Sequence, residues 1–249
     1  MPVVGTTWLR ALRGVPGARV VMVCFPAAGG SAGAYRPLAQ QLSPGIAVYA
    51  VQYPGRQDRL DARPVTDLIE LADHVTADVL SWGEAPTLVL FGHSMGATVA
   101  FEVVRRLRRK GREPIRLFVS GRVSPDAAHS ARLHEGPDSD LLADLERLVN
   151  DPSSVAVLRA EPELAGLVLS SLRADYRAVE TYVFEPGERL SCPISVLLGD
   201  ADPTVTVEQA QGWRAHTDGE FEVTTFSGRH FYLDERLAEV AAHLVARVG

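Results

Sequence analysis

The sequence predicts an α/β protein, with a mostly parallel sheet, helices on both faces and one helical insertion. Three observations lead there. Apolar runs of strand length alternate with amphipathic stretches of helical period along most of the chain. Runs such as Arg19-Val20-Val21-Met22-Val23-Cys24-Phe25 are too continuously apolar for a sheet with one wet face. The run Thr87-Leu88-Val89-Leu90-Phe91 leads into Gly92-His93-Ser94-Met95-Gly96 and then into a helical pattern over residues 97–104. Strand, Gly-x-Ser-x-Gly, helix is the pattern of a nucleophile elbow.

Taken in order, residues 19–25 form the first expected strand, followed by a loop at Pro26-Ala27-Ala28-Gly29-Gly30-Ser31-Ala32-Gly33. Residues 35–42 give a short amphipathic helix that Ser43-Pro44-Gly45 breaks. A second strand over 46–53 closes at Pro54-Gly55. A helix over about 65–82 places Leu68, Ile69, Ala72, Val75, Val79 and Leu80 on one side. The strand and elbow come next. The helix behind the elbow ends in Arg105-Arg106-Leu107-Arg108-Arg109-Lys110-Gly111, where basic residues suit the negative end of the dipole and glycine suits the position after the helix. Residues 116–120 form another strand. From about 122 to 191 no strand pattern occurs; 140–149, 154–158 and 164–182 read as helices or helical turns. That interval is expected as a lid inserted into a single domain spanning 1–249, above the sheet edge that carries the elbow, with a separate small helical domain as the alternative. Strand character returns at 193–198. A helix at about 207–213, a strand at 221–226 and a helix over about 234–247 complete the chain.

Composition narrows the functions. The chain has 249 residues, 46% hydrophobic and 22% charged, an ordinary balance for one soluble domain. A formal net charge of -6 argues against a nucleic-acid binder. No apolar run approaches membrane-spanning length. Residues 1–7 lack a basic segment followed by an apolar one, so no secretory signal is expected. Cys24 and Cys192 sit in or beside strands and read as small buried hydrophobes. A cytoplasmic monomer without metal or cofactor is the resulting expectation. The arginine cluster over 105–112 reads as a solvated helix end, with a docking patch for an acidic partner as the alternative.

The elbow needs partners. In the elbow, Ser94 sits on a turn so sharp that its Oγ clears the sheet, and glycine is required two positions either side. A serine hydroxyl needs a base, and the base an orienting acid, in the chain order Ser, Asp or Glu, His. Among seven histidines His230 stands out. It lies in Ser227-Gly228-Arg229-His230-Phe231, after the last strand, on the sheet edge of the elbow. His93 points away from Ser94, His243 belongs to the last helix, and His74, His129, His134 and His216 lack a comparable setting. Gly199-Asp200-Ala201-Asp202-Pro203 offers two acids. Asp202, three residues beyond the strand's final glycine, has the reach, whereas Asp200 is placed to brace the turn. Oxyanion donors are expected from the backbone N–H of Met95 and from the loop after the first strand, where Ala28 is preferred and Ala27 is the alternative. That loop is neither G-x-G-x-x-G, since position 28 is alanine, nor a P-loop.

Several stretches together resemble one family. Phe25-Pro26-Ala27-Ala28-Gly29-Gly30-Ser31, Gln52-Tyr53-Pro54-Gly55-Arg56, the elbow, Ser120-Gly121-Arg122, Leu172-Arg173-Ala174-Asp175-Tyr176, Glu180-Thr181-Tyr182 and Gly228-Arg229-His230-Phe231 are similar to the type II thioesterases of polyketide and nonribosomal-peptide biosynthesis. The resemblance runs from the first strand to the last helix. It implies an α/β-hydrolase fold and an editing hydrolase that removes stalled or wrong acyl groups from the phosphopantetheine arm of acyl carrier protein or peptidyl carrier domains. The alternatives are a chain-releasing thioesterase, a carboxylesterase or lipase on oxygen esters, and a non-catalytic binding module on the same fold.

Overall fold

The computed structural model of the chain describes residues 7–83, 87–127 and 131–248. His129 and most of the N-terminal stretch read for a secretory signal lie outside these residues.

The strands are β1 (Leu9–Arg13), β2 (Val20–Phe25), β3 (Ile46–Val51), β4 (Thr87–His93), β5 (Arg116–Ser120), β6 (Ile194–Gly199) and β7 (Phe221–Phe226). They form one seven-stranded sheet in the order β1-β3-β2-β4-β5-β6-β7. All neighbours pair in parallel except β1, which runs antiparallel to β3 with Leu9 opposite Val51. The helices are α1 (Arg36–Gln41), α2 (Leu68–Leu80), α3 (Met95–Arg109), α4 (Asp138–Leu148), α5 (Ser153–Ala160), α6 (Pro162–Glu180), α7 (Val207–Ala210), α8 (Tyr232–Glu235) and α9 (Leu237–Val245).

The continuously apolar strands are apolar because both faces are covered. Along β2, Val21, Val23 and Phe25 join a core cluster with α2 and α3, while Met22 and Cys24 join a second cluster with α1 and α9. The same alternation holds in β4, where Leu88 and Leu90 face one layer and Val89 and Phe91 the other. Both cysteines are buried and free. Burial raises both thiols, Cys192 to about 12.

Four sequence expectations are corrected. The strand β1 was not anticipated; it is a short edge strand in which only Leu9 is fully buried. The helix expected from 65 begins at Leu68, because the Asp67 carboxylate accepts the N–H groups of Ile69 and Glu70 at 2.7 and 3.2 Å and so fixes the cap. The helix at 207–213 is a single α turn that tightens to 3-10 geometry over Gln211–His216. The C-terminal helix is broken at Arg236, whose φ of -115° leaves the helical range and whose Nε donates to Ser227 O at 3.1 Å.

Between β5 and β6 the described residues hold no strand. The helices α4, α5 and α6 instead build a small core of their own from Leu141, Leu142, Val155, Leu169, Leu172 and Tyr176, and Ala28 packs against it. No described helix is long and apolar enough to cross a membrane.

Candidate active site

At the end of β4 the backbone turns through Ser94, whose φ of 54° and ψ of -122° lie where non-glycine residues are rarely found. The turn survives because its neighbours lack side chains. A Cβ on Gly92 would stand 2.3 Å from Gly96 O, and one on Gly96 would stand 2.1 Å from Phe25 O. Ser94 N–H donates to Ser120 O at 2.8 Å, tying the elbow to β5. The helix α3 starts at Met95, so the amides of Met95 and Gly96 have no acceptor within the helix, while Ala97 N–H turns back to Ser94 O at 3.0 Å.

The loops after β6 and β7 are zipped together. Asp200 N–H donates to Phe226 O at 2.8 Å and Ala201 N–H to Gly228 O at 3.0 Å. Asp202 N–H then closes a turn on Gly199 O at 3.2 Å. This carries Asp202 past the strand end to His230, whose Nδ1–H donates to Asp202 Oδ2 at 2.8 Å. Asp200 stays at the rim, where its Oδ1 accepts the Gly228 N–H at 3.0 Å. The Asp202 and His230 side chains are 0% and 2% exposed.

Thr204, which the sequence reading passed over, completes the acid. Its N–H and its hydroxyl both donate to Asp202 Oδ1, at 2.8 and 2.7 Å. One carboxylate oxygen is thus saturated and the other is left for the imidazole. Burial alone would raise the Asp202 carboxyl; the hydrogen bond and charge of His230, with the donors of Thr204, outweigh it and hold the group below the usual carboxylate range. The legible signal was Asp202-Pro203-Thr204 itself, an acid followed two residues later by a residue that donates twice.

His93 lies beneath His230, with ring centroids 4.8 Å apart. Its Nδ1 is 2.9 Å from Ser120 Oγ, which is 2.7 Å from the Tyr232 hydroxyl. Burial, then the neighbouring His230, push the His93 imidazole well below its ordinary range. It is neutral at physiological pH and adds no charge to oppose an imidazolium at His230. The described remaining histidines are engaged elsewhere: His74 stacks on Trp8, His134 pairs with Glu180, His216 with Asp126, and His243 faces Glu222.

Ser94, Met95, Ala27, Ala28, Thr204 and His230 line one cavity of about 240 Å³. Its far wall comes from the insertion, including Leu145, Leu148 and Tyr176. The C-terminal end of α4 is tied to the site loops, since Asn150 Nδ2 donates to Phe231 O at 2.9 Å and Arg229 Nη2 to Arg147 O at 2.5 Å. Arg122, also on the wall, is pushed down to about 10 by burial. Among the described residues the Ala28 N–H has no hydrogen-bond acceptor.

The arginine cluster at the end of α3 is mostly consumed by the fold. Arg105 and Arg106 pair with the buried Glu102 at 2.6 Å, Arg108 with Glu113 and Glu188, and Arg112 donates to Val79 O and Leu80 O. The cluster also sits at the opposite end of α3 from Ser94. A helix of this length separates the two by about 20 Å.

A parallel sheet in this order, with an elbow at β4 and acid and histidine loops after β6 and β7, defines an α/β-hydrolase fold. A thioesterase-domain family model matches residues 21–248. The probable cadicidin biosynthesis thioesterase of Streptomyces griseus is 43% identical over 233 residues, which are 94% of this chain and 63% of that protein. This chain therefore spans less than two thirds of that relative. Thioesterase PikA5 of Streptomyces venezuelae is 40% identical over 94% of this chain and 82% of its own. The solved structure of the type II thioesterase BorB from the borrelidin biosynthetic cluster is 40% identical, with a TM-score of 0.85, covering 98% of this chain and 97% of that one. The chain belongs to the thioesterase family.

Proposed function

We propose that this protein hydrolyses acyl thioesters through an acyl-Ser94 intermediate, and that it edits acyl groups stalled on the phosphopantetheine arm of carrier-protein domains. The observation that carries the reading is the buried Asp202–His230 pair opening into the same cavity as the strained Ser94 elbow.

His230 Nε2 takes the proton of Ser94 Oγ as the oxygen attacks the thioester carbonyl. The carbonyl oxygen becomes an oxyanion held by the N–H groups of Met95 and Ala28, each such donor contributing roughly 3 kcal/mol of barrier reduction. Asp202 keeps the imidazole in the tautomer with the proton on Nδ1 and stabilises the imidazolium. Collapse expels the thiolate, a good leaving group because a thiol pKa is about 8.5, and the departing sulfur takes the proton from His230, which becomes a neutral base again. Water then adds to the acyl-Ser94 carbonyl with His230 as base, releasing the acid and restoring Ser94. Residues 122–191 serve as the lid of a single-domain monomer, gating entry of the acylated arm.

The relatives support hydrolysis of carrier-bound thioesters, and the size of the cavity is the ground for editing. A cavity of about 240 Å³ lies below the roughly 300–1,000 Å³ typical of pockets that take drug-sized ligands, which favours short acyl groups over a finished chain. Hydrolysis of a panel of acyl carrier proteins against the same acyl groups on small thiols and on matched oxygen esters tests the reading. Carrier thioesters with short acyl groups should give the highest kcat/KM. Preference for oxygen esters would favour a carboxylesterase, preference for long finished chains a releasing enzyme, and failure of a serine-directed phosphonate to label Ser94 a binding module.

A further inference from the structure

Two of the stretches singled out in the sequence, 52–56 and 172–176, take no direct part in this chemistry, yet they meet at one buried point. Arg56, in the loop after β3, is 7% exposed, and Asp175, on α6, is 1% exposed. The two guanidinium nitrogens Nη1 and Nη2 donate to Asp175 Oδ2 and Oδ1 at 2.5 and 2.8 Å, a two-pronged pairing that fixes both side chains in orientation as well as distance. A third donor joins them, the Gly29 N–H, at 2.8 Å from Asp175 Oδ2. Arg56 Nη1 also donates to Gly30 O at 3.1 Å. The pair therefore grips the loop after β2 by two backbone groups.

That loop is a tight turn. Gly30 N–H donates to Ala27 O at 2.9 Å, and Gly29 has a φ of 73° while Ala28 does not have a positive φ. This is the pattern of a type II turn, with glycine where the backbone is left-handed. A type II turn converts to type I by flipping its central peptide, here the one joining Ala28 C=O to Gly29 N–H. Flipped, that peptide would withdraw its N–H from the Asp175 carboxylate and turn its carbonyl oxygen toward it. The carboxylate selects one orientation. The preceding peptide carries the Ala28 N–H, and its carbonyl is the Ala27 oxygen held by Gly30. In a planar trans peptide the N–H and C=O point opposite ways, so fixing Ala27 O fixes the direction of the Ala28 N–H.

We propose that Arg56 and Asp175 are positioning residues that anchor the turn carrying the Ala28 N–H, through Gly29 N–H and Gly30 O, and so make the placement of that oxyanion donor depend on the seating of α6. The proposal rests on the reading of Ala28 as an oxyanion donor. The dependence follows from chain connectivity. Asp175 belongs to the helical insertion, and Leu172, one turn earlier, also packs on Gly29, whose added Cβ would stand 3.0 Å from the leucine Cδ1. When α6 lifts, the acceptor for Gly29 leaves with it.

The test uses Asp175→Asn, which keeps the shape and loses the charge, and Arg56→Lys, which keeps the charge and loses the two-pronged geometry. Both are compared with wild type below their melting transitions. Single-turnover acylation of Ser94 should fall about ten- to a hundredfold, part of the roughly 10²–10³ lost when an oxyanion donor is deleted. The KM should stay within about twofold, and the pH at half-maximal rate should not move, since Asp202 and His230 are untouched. Affinity for an alkyl trifluoromethyl ketone should fall by the same factor as acylation. Ser94 Oγ adds to its carbonyl while His230 takes the proton, leaving an oxyanion in the same place. Amide exchange at Gly29 should quicken. Folded variants that acylate and bind the ketone like wild type, with only a lower Tm, would overturn the proposal. If Asp175→Asn does not fold, Arg56→Lys decides alone by the same criteria. Wild-type protein that does not label at Ser94 would refute the proposed function and this role with it, whereas an active wild type with unaffected variants refutes the positioning role alone.

Discussion

Exchanging Asp202 for asparagine changes one atom type, and the surroundings of the carboxylate dictate the result. Two donors, the N–H and hydroxyl of Thr204, converge on Oδ1. In Asp202→Asn the amide oxygen must take that side, so the NH₂ is aimed at His230 Nδ1. A donor there forces the imidazole to carry its proton on Nε2, where it cannot accept the serine proton. The lost charge adds to the effect. With centres about 4 Å apart and an effective dielectric of about 20, a carboxylate favours the imidazolium by about 4 kcal/mol. That is roughly a thousandfold in rate, and the wrong tautomer brings the total toward about ten-thousandfold. Asp200→Asn retains an oxygen for the Gly228 N–H and should change kcat by less than about twofold. Thiol release from an acyl-N-acetylcysteamine substrate, followed at saturating concentration with the folded fraction checked by thermal melt, measures both. If Asp200→Asn is the crippled variant, the acid has been misassigned.

Three further outcomes are expected. Ser94→Ala should lose at least about 10⁴-fold in kcat with a Tm within about 1 °C of wild type, and retention of most activity in a turnover assay would remove Ser94 as nucleophile. His93 is neutral in the fold with its pKa depressed, so below about pH 6.5 the unfolded chain binds a proton that the native chain refuses; stability is full above that pH and declines beneath it. Tm should therefore fall between pH 7.5 and 5.5 by more in wild type than in His93→Gln, and equal slopes would contradict the assignment. Hydrogen exchange should be faster across α4, α5 and α6 than across β2, β4 and β5, since the insertion has only a small core of its own and leaves Val157, Leu164 and Leu167 exposed; uniform protection would count against a lid.

What the sequence disclosed was whatever it encodes locally. The buried strands are continuous apolar runs, the elbow is five adjacent residues, and the reach of Asp202 follows from its distance beyond Gly199. The edge strand β1 was hidden because Leu-Arg-Ala-Leu-Arg buries one residue fully and owes its pairing to β3, far along the chain. Arg13 looks like a loop residue until it is seen donating to Leu42 O, Ser43 O and Ile46 O. The Arg56–Asp175 pair joins residues 119 apart, a separation that no local pattern reports. The resemblance marked both stretches; only the fold shows that they touch. The arginine cluster was equivocal for a related reason, as its partners Glu102, Glu113 and Glu188 lie on three different segments.

The burial of Cys24 and Cys192 has a chemical consequence. A thioesterase sets free a thiol beside an activated acyl-oxygen ester, and any accessible cysteine could capture the acyl group by exchange. Both of this chain's thiols are sealed in the core and held in the unreactive protonated form. The native protein offers sulfur chemistry no competing nucleophile, so its turnover should be insensitive to alkylating agents, and a disulfide reagent added to count released thiols should count product alone.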